Sequence, residues 1–393
     1  MRILLCNKFY YRRGGDCIYT LNLEELFRSK GHEVAIFAMD YPENDDSQWT
    51  SFFPSEVNLS SVPGKLRFFL RSLGDSETRR QFGAILDDFR PDIVHLNNIH
   101  TQLSPVVAQI AHGRGIRVIW TLHDYKLVCP RYDCMRKGAD FCELCFKSKF
   151  NVMKYSCMKD SFAASMMAFA EAVCWNRSRL VDNTDFFICP SGFMRDKMVQ
   201  AGFPGDRIVH LCNFIDTEKC QREDYCTRED YYCYVGRLST EKGVKTLAEV
   251  ASSLPSYKLI VIGDGPLQGS LPVAGQIEYA GKRDWPYIKE IVGKARFMVM
   301  PSECYENNPL SVIESLSLGT PVLGARIGGI PELVDEGKNG LLFNSGDRSD
   351  LRRRVTEMFN HSFDYSGIAS ESQKKFSQES YYNDLMLMYA GGV

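Results

Sequence analysis

Several features that would narrow the function at once are missing from this chain. Its 393 residues contain no run of 18 or more apolar residues, so no helix is predicted to span a membrane. Charge of one sign is also lacking. Lys and Arg total 47 against 49 Asp and Glu, a net of −2, so no global basic field argues for nucleic acid. The N-terminus, MRILLCNKFYYRRGG, puts its apolar run before its basic residues, the reverse of a signal peptide. A cytoplasmic, reducing location is therefore expected. Most of the fourteen scattered cysteines then act as small core hydrophobes, among them Cys6, Cys189, Cys212 and Cys233. A second Cys-x2-Cys pair is absent as well; Cys142 and Cys145 form one. Two readings stay open for the cysteine-bearing segment 129–157. Cys129, Cys142, Cys145 and Cys157 hold a structural zinc, or these are buried or redox-sensitive thiols.

What is present reads as an α/β chain of two domains, the natural prior at this length. Arg2–Cys6 is an apolar parallel strand. Gly14-Gly15 follows in a loop, then a helix from about Cys17 to Lys30 and a strand from Glu33 to Ala38. Such doubly wound units bind ligands at the C-terminal ends of their strands. Strands at 92–96 and 115–122 each end in polar clusters: His95, Asn97, Asn98 and His100 after one, His123, Asp124 and Tyr125 after the other. Two strands ending this way point to a site there.

Residues 63–90 are predicted to be helical, with Lys65, Arg67, Arg71, Arg79 and Arg80 among Leu66, Phe68, Phe69, Leu70, Leu73 and Phe82. Residues 63–82 fit either a peripheral contact with an anionic membrane or a packed helix with a solvated basic face. A further helix over 159–181 carries Phe162, Met166, Phe169, Val173 and Leu180 on its apolar side.

The second half repeats the pattern. His210–Asp216 is the predicted crossing between domains. Tyr232–Val235 leads into Gly236-Arg237-Leu238-Ser239-Thr240-Glu241-Lys242-Gly243, where an Arg and a Lys at one strand-to-helix turn can both reach a diphosphate. Lys258–Ile262 ends in the tight turn Gly263–Pro266, and Ile277–Ala280 ends at Gly281-Lys282-Arg283. The apolar run Phe297–Met300 enters PSECYENNPLSVIESLSLG, Pro301 to Gly319. Asn307 and Asn308 suit a helix cap, Pro309 its first turn and Gly319 its stop. Glu306 and Glu314 frame the helix start. Residues 368–389 are helical, with apolar surface enough to pack back on the first domain.

GRLSTEKG, VIGDGP, ECYENNPLSVIES and GGIPELVDEGKNGLLF, in this order, together resemble the retaining glycosyltransferases of family 4. Gly14-Gly15 is similar to that family's acceptor-side glycine loop, and TLHDY, Thr121 to Tyr125, to one of its strand ends. The resemblance implies the GT-B fold: two Rossmann-like domains facing across a cleft, with domains at 1–209 and 210–367 and a returning segment at 368–393.

It also implies transfer of a sugar from a UDP- or GDP-sugar to an acceptor hydroxyl, with retention at the anomeric carbon. No metal cofactor or Asp-x-Asp motif is implied. Arg237 and Lys242 would stabilise the departing diphosphate, with the Gly15 amide contributing. Glu306, with Asn308, Pro309 and Leu310, would hold the sugar, and Glu314 the ribose. Lys282 or Arg283 would lie near the base, and Gly263 in the donor turn. Gly14, Gly15, Asn98, His100, His123 and Asp124 would line the acceptor side. His123 would position the sugar or face developing positive charge.

HDYKLVCP and the cysteines up to Cys157 resemble bacterial enzymes of surface-polysaccharide synthesis, implying a glycan or polyprenyl-diphosphate-linked acceptor at the inner membrane face. Two alternatives share the fold: a non-catalytic binding scaffold and a nucleotide-sugar epimerase. The catalytic residues expected are His123, Glu306, Arg237 and Lys242.

Overall fold

The computed structural model describes residues 1–57, 60–136, 140–222 and 224–391. The chain divides into two compact units. One comprises Met1–Leu211 together with the stretch from Tyr382 onward; the other comprises Cys212–Tyr381.

In the N-terminal unit, β1 (Arg2–Cys6), β2 (Glu33–Phe37), β3 (Ile93–Leu96), β4 (Arg117–Thr121), β7 (Phe186–Cys189) and β8 (Ile208–His210) form one sheet in the order β2-β1-β3-β4-β7-β8. Every pairing in it is parallel. The strands are buried on both faces, which is why they are apolar runs rather than alternating ones. β5 (Met135–Arg136) and β6 (Asp140–Phe141) make a separate antiparallel hairpin in the cysteine-bearing segment. Residues 137–139 of that segment lie outside the described residues.

The C-terminal unit repeats the plan with β9 (Tyr231–Val235), β10 (Lys258–Ile262), β11 (Ile277–Gly281), β12 (Met298–Met300), β13 (Val322–Ala325) and β14 (Gly340–Phe343). The order is β11-β10-β9-β12-β13-β14, again all parallel. In each sheet the order reverses once, between β1 and β3 and between β9 and β12. The loops leaving those strands diverge there and open a crevice.

The structure corrects several expectations. The predicted helix over 63–90 is two helices, Val62–Ser72 and Ser76–Phe89. Gly74 separates them at φ +91°, and a Cβ there would lie 2.7 Å from that of Val106. Two of its basic residues are ion-paired. Arg71 is fully buried against Asp75 and Glu77, and Arg67 pairs with Glu77 at 2.6 Å.

The predicted helix over 159–181 is likewise two, Phe162–Cys174 and Arg177–Asp182, the second capped by Asn176. The first buries Ser165, Ala168 and Glu171 and turns Phe162, Met166 and Val173 outward. Residues through Tyr381 belong to the C-terminal unit, so the returning segment begins at Tyr382, not at residue 368. Tyr382 Oη bonds with His32 Nε2 at 2.8 Å, and Arg117 Nη1 donates to the Tyr389 carbonyl at 2.7 Å. Residues 392 and 393 lie outside the described residues.

Candidate active site

In the C-terminal unit the loops after β9 and β12 meet. Gly243 has φ +66°, and a Cβ there would sit 1.9 Å from the Pro301 carbonyl oxygen. Only glycine lets the two loops touch in this way. The Glu303 amide donates to the Glu241 carbonyl at 2.9 Å beside that contact. The result places Lys242 Nζ 2.6 Å from Glu306 Oε1, and Ser302 Oγ donates to the same oxygen at 2.6 Å. Burial alone would lower the Lys242 ammonium, but Glu306 and the anions around it hold it above its ordinary value. Glu306 is buried, and its backbone is gripped from the far side. Gly328, at φ +58°, would bring a Cβ within 2.3 Å of the Glu306 carbonyl oxygen, to which the Gly329 amide donates at 2.7 Å.

Asn308 does not cap the following helix. Its Oδ1 accepts from the Asn213 amide at 2.9 Å, and its carbonyl accepts from Asn213 Nδ2 at 2.8 Å. The helix runs Leu310–Ser317 with Pro309 at the cap position and no side-chain cap bond. The Val312 amide donates to the Pro309 carbonyl at 3.1 Å, so the helix start presents its Leu310 and Ser311 end toward Glu306 without a side-chain cap. Glu314 lies one turn in, beside Val235, Trp285, Ile288 and Ser311, and burial pushes its carboxyl up to about 7.

Gly263 and Gly265 have φ +141° and +153°. Their Cβ positions would strike the Gly236 and Leu238 carbonyl oxygens at 1.9 and 2.5 Å, so this turn supports the Arg237 loop from beneath. Arg237 is exposed and, among the described residues, pairs with no carboxylate. Lys282 and Arg283 are exposed after β11, with the Arg283 guanidinium 4.8 Å over the Tyr287 ring.

The N-terminal unit gathers a second polar cluster at its switch point. Gly14 is extended at φ −157°, and Gly15 opens the Gly15–Ser29 helix. A Cβ on Gly15 would meet nothing within 4 Å, so this glycine faces open space rather than a packed neighbour. Asn98 Nδ2 donates to Asp16 Oδ2 at 2.9 Å, and its amide donates to Asn7 Oδ1 at 3.0 Å. His123 Nε2 lies 3.0 Å from Asn97 Oδ1, with its ring 4.9 Å from that of Tyr19 in an edge contact. Burial lowers His123, with Asp16 and Asp124 pulling the other way. Burial also raises Asp124, and Lys8 and Lys126 oppose it.

His100 is less open than its place in the sequence implied. It is buried against Trp120 with ring centroids 5.5 Å apart, and burial drives it down to about 3. It remains neutral, so its approach to Asp124 at 3.7 Å is not an ion pair at neutral pH. It lines a cavity of about 30 Å³, room for one water.

Cys129, Cys142, Cys145 and Cys157 share one neighbourhood: burial raises the Cys145 and Cys157 thiols, and Cys129 and Cys142 push both the same way. The Cys134 thiol beside it pulls Cys129 down to about 7. Cys145 and Cys157 pack in a small apolar cluster with Val152 and Ala168. Among the described residues no group of three or more His, Cys, Asp or Glu is placed to hold a metal ion.

Residues not anticipated from sequence are Lys8, Asp16, Asn213, Ser302 and Trp285. Asn213 lies in the predicted crossing HLCNFID and Ser302 directly after a strand, but neither position names a partner.

A family model described as Glycosyltransferase Family 4 matches residues 13–219, more than half of the chain. The chain is a family 4 glycosyltransferase. The model described as Glycosyl transferases group 1 matches residues 218–381 of this glycosyltransferase, covering the loops after β9 and β12. An uncharacterized 42.6 kDa protein in the cps region of Klebsiella pneumoniae is 24% identical over 85% of this chain and 87% of its own. N-acetyl-alpha-D-glucosaminyl L-malate synthase of Bacillus anthracis is 28% identical over 88% of this chain and 84% of its own. The crystal structure of Anabaena HepE with UDP matches with a TM-score of 0.69 at 15% identity, covering 100% of both chains. This glycosyltransferase therefore has the two-domain GT-B fold.

Proposed function

We propose that this enzyme moves a sugar from a UDP- or GDP-sugar to a hydroxyl of a glycan or lipid-linked glycan, with retention, in bacterial surface-polysaccharide synthesis. The observation that carries the donor assignment is the Lys242–Glu306–Ser302 contact beside the Leu310–Ser317 helix start and Arg237, which among the described residues pairs with no carboxylate. When the anomeric C–O bond breaks, the nucleoside diphosphate takes the electron pair and gains charge. Arg237 and Lys242 would meet that charge, and the Leu310–Ser317 helix start would add amide dipoles. Glu306, released from Lys242, would accept hydrogen bonds from sugar hydroxyls, with Asn308, Pro309 and Leu310 shaping that wall. Glu314 would accept from the ribose diol, and Lys282 or Arg283 would face the base.

On the acceptor side, Gly14, Gly15, Asn98, His123 and Asp124 would bind the incoming hydroxyl compound. Asn97 orients a neutral His123, suited to positioning rather than to carrying charge. The transfer requires no metal in this scheme. HepE was solved with UDP and with UDP-glucose, and one relative is named for a cps region; both support this reading. A nucleotide-sugar donor and reduced cysteines favour the cytoplasm, at the inner membrane face.

A thermal-shift panel of UDP-, GDP- and ADP-sugars tests the donor, since a ligand of the folded state raises the melting temperature. One base should stabilise the enzyme and Lys242→Ala should lose that shift. No shift with any donor, or a shift unchanged in Lys242→Ala, would refute the assignment. Release of nucleoside diphosphate only when acceptor is present separates transfer from epimerisation.

A further inference from the structure

Two helices of the N-terminal unit are turned inside out. Val62–Ser72 buries Arg71 and Ser72 while Val62, Leu66 and Leu70 stand 79%, 58% and 50% exposed. Phe162–Cys174 buries Ser165, Ala168 and Glu171 while Phe162, Met166 and Val173 stand 59%, 48% and 51% exposed. The exposed residues recur at helical spacing, so each set forms one stripe. An amphipathic helix ordinarily buries such a stripe.

Buried ion pairs hold both helices in this orientation. Arg71 is committed to Asp75 and Glu77 and donates to the Ser55 carbonyl. Glu171 is paired with Lys126 at 3.0 Å. Rotating either helix to hide its apolar stripe would separate a buried pair and strand a charge. The stripes are therefore stable features of the surface.

The two helices are joined. Trp175 Nε1, just past one, donates to the carbonyl of Ser72 at the end of the other at 2.8 Å. Phe150, itself exposed, packs its ring 6.1 Å from that of Phe169, and Leu144 adds to the same region. By contrast, the exposed large apolar residues described in the C-terminal unit are Val273 and Tyr279.

The charges beside this surface are mostly of one sign. Lys65 is exposed on the first helix, where Arg67 is paired with Glu77, and Lys147, Lys154 and Lys159 precede the second. Neither helix carries an exposed carboxylate, and Asp160 is the exposed acid directly before the second. Apolar side chains flanked by lysines match the boundary between acyl chains and anionic head groups. No helix among the described residues is long and apolar enough to cross a bilayer, so the fit is to its surface.

We propose that the faces carrying Val62, Leu66 and Leu70 and Phe162, Met166 and Val173 dock the N-terminal unit on an anionic lipid surface. This extends beyond the basic face of residues 63–82, in which Arg67 and Arg71 are paired within the protein. It does not depend on the donor assignment.

The test is co-sedimentation of the full chain with vesicles of phosphatidylcholine containing phosphatidylglycerol, and with pure phosphatidylcholine. The protein should pellet with the anionic vesicles and be released by salt. Combined Leu66→Ser, Leu70→Ser, Phe162→Ser and Met166→Ser should lower the sedimented fraction on the order of tenfold. The melting temperature and the nucleotide-induced thermal shift should stay unchanged, showing that folding and the donor site are intact. Absence of the wild-type protein from the anionic pellet, or equal sedimentation of the variant, would overturn the proposal. So would a concentration-dependent dimer, seen by light scattering, that the same substitutions dissolve; the face would then belong to a second copy.

Discussion

Lys242 Nζ and Glu306 Oε1 lie 2.6 Å apart, and Ser302 Oγ holds the same carboxylate oxygen. The two residues assigned to diphosphate and sugar thus neutralise each other before any donor is bound. In the proposed donor site, a donor would take over both sides of this pair, its phosphate the lysine and its hydroxyls the carboxylate.

Removing either partner should be severe. Lys242→Ala and Glu306→Ala are each expected to lower turnover at least about a hundredfold, the scale seen when one charge-stabilising group is lost. Circular dichroism should show the fold retained. Near-normal nucleoside diphosphate release by either variant would contradict the assigned site.

Glu314 should leave a pH signature on stability. Burial raises its folded-state carboxyl to about 7, against an ordinary value of 4.5. Its favourable contribution is then fully present below 4.5 and is lost as pH rises through 7. The ligand-free melting temperature should fall across this window and flatten in Glu314→Gln. A ribose diol donating to the carboxylate favours its charged form, so the nucleotide-induced shift should grow as pH rises. Identical pH profiles for wild type and variant would argue against it.

Two glycines separate architecture from ligand contact. Gly328→Ala drives a Cβ to within 2.3 Å of the Glu306 carbonyl oxygen at positive φ, and should cost about 1–3 kcal/mol together with donor binding. Gly15→Ala meets nothing within 4 Å and should leave the melting temperature unchanged. Loss of turnover in Gly15→Ala without loss of stability would place a substrate against that glycine. Full activity would remove it from the site.

Metal analysis checks the cysteine segment. The reduced full chain should carry well under one zinc per molecule, because among the described residues no three possible ligands are placed to hold one. Stoichiometric zinc would show that these thiols regroup around a metal.

Much of the fold was legible because parallel strands buried on both faces must be continuous apolar runs. Arg2–Cys6 and Lys258–Ile262 fall where those runs lie. The loops at the ends of the C-terminal strands were legible because Gly243, Gly263 and Gly328 are required where backbone meets backbone at positive φ. The helix start at Leu310 was only partly so. Asn307-Asn308 fits a capping pattern, but Asn308 is taken by Asn213, 95 residues earlier.

By itself the sequence determined the two repeats of strand, glycine turn and helix, and hence which loops stand at the strand ends. Local chemistry suffices for that, since periodicity and glycine act over a few residues. Only the tertiary structure decided which faces of Val62–Ser72 and Phe162–Cys174 are covered. An apolar stripe announces a surface in need of a partner. Which side turns inward depends on distant charges, here Asp75 and Glu77 for Arg71 and Lys126 for Glu171. The energy of stranding a buried charge outweighs that of exposing a few apolar side chains, and no local pattern reveals where its counter-charge will be.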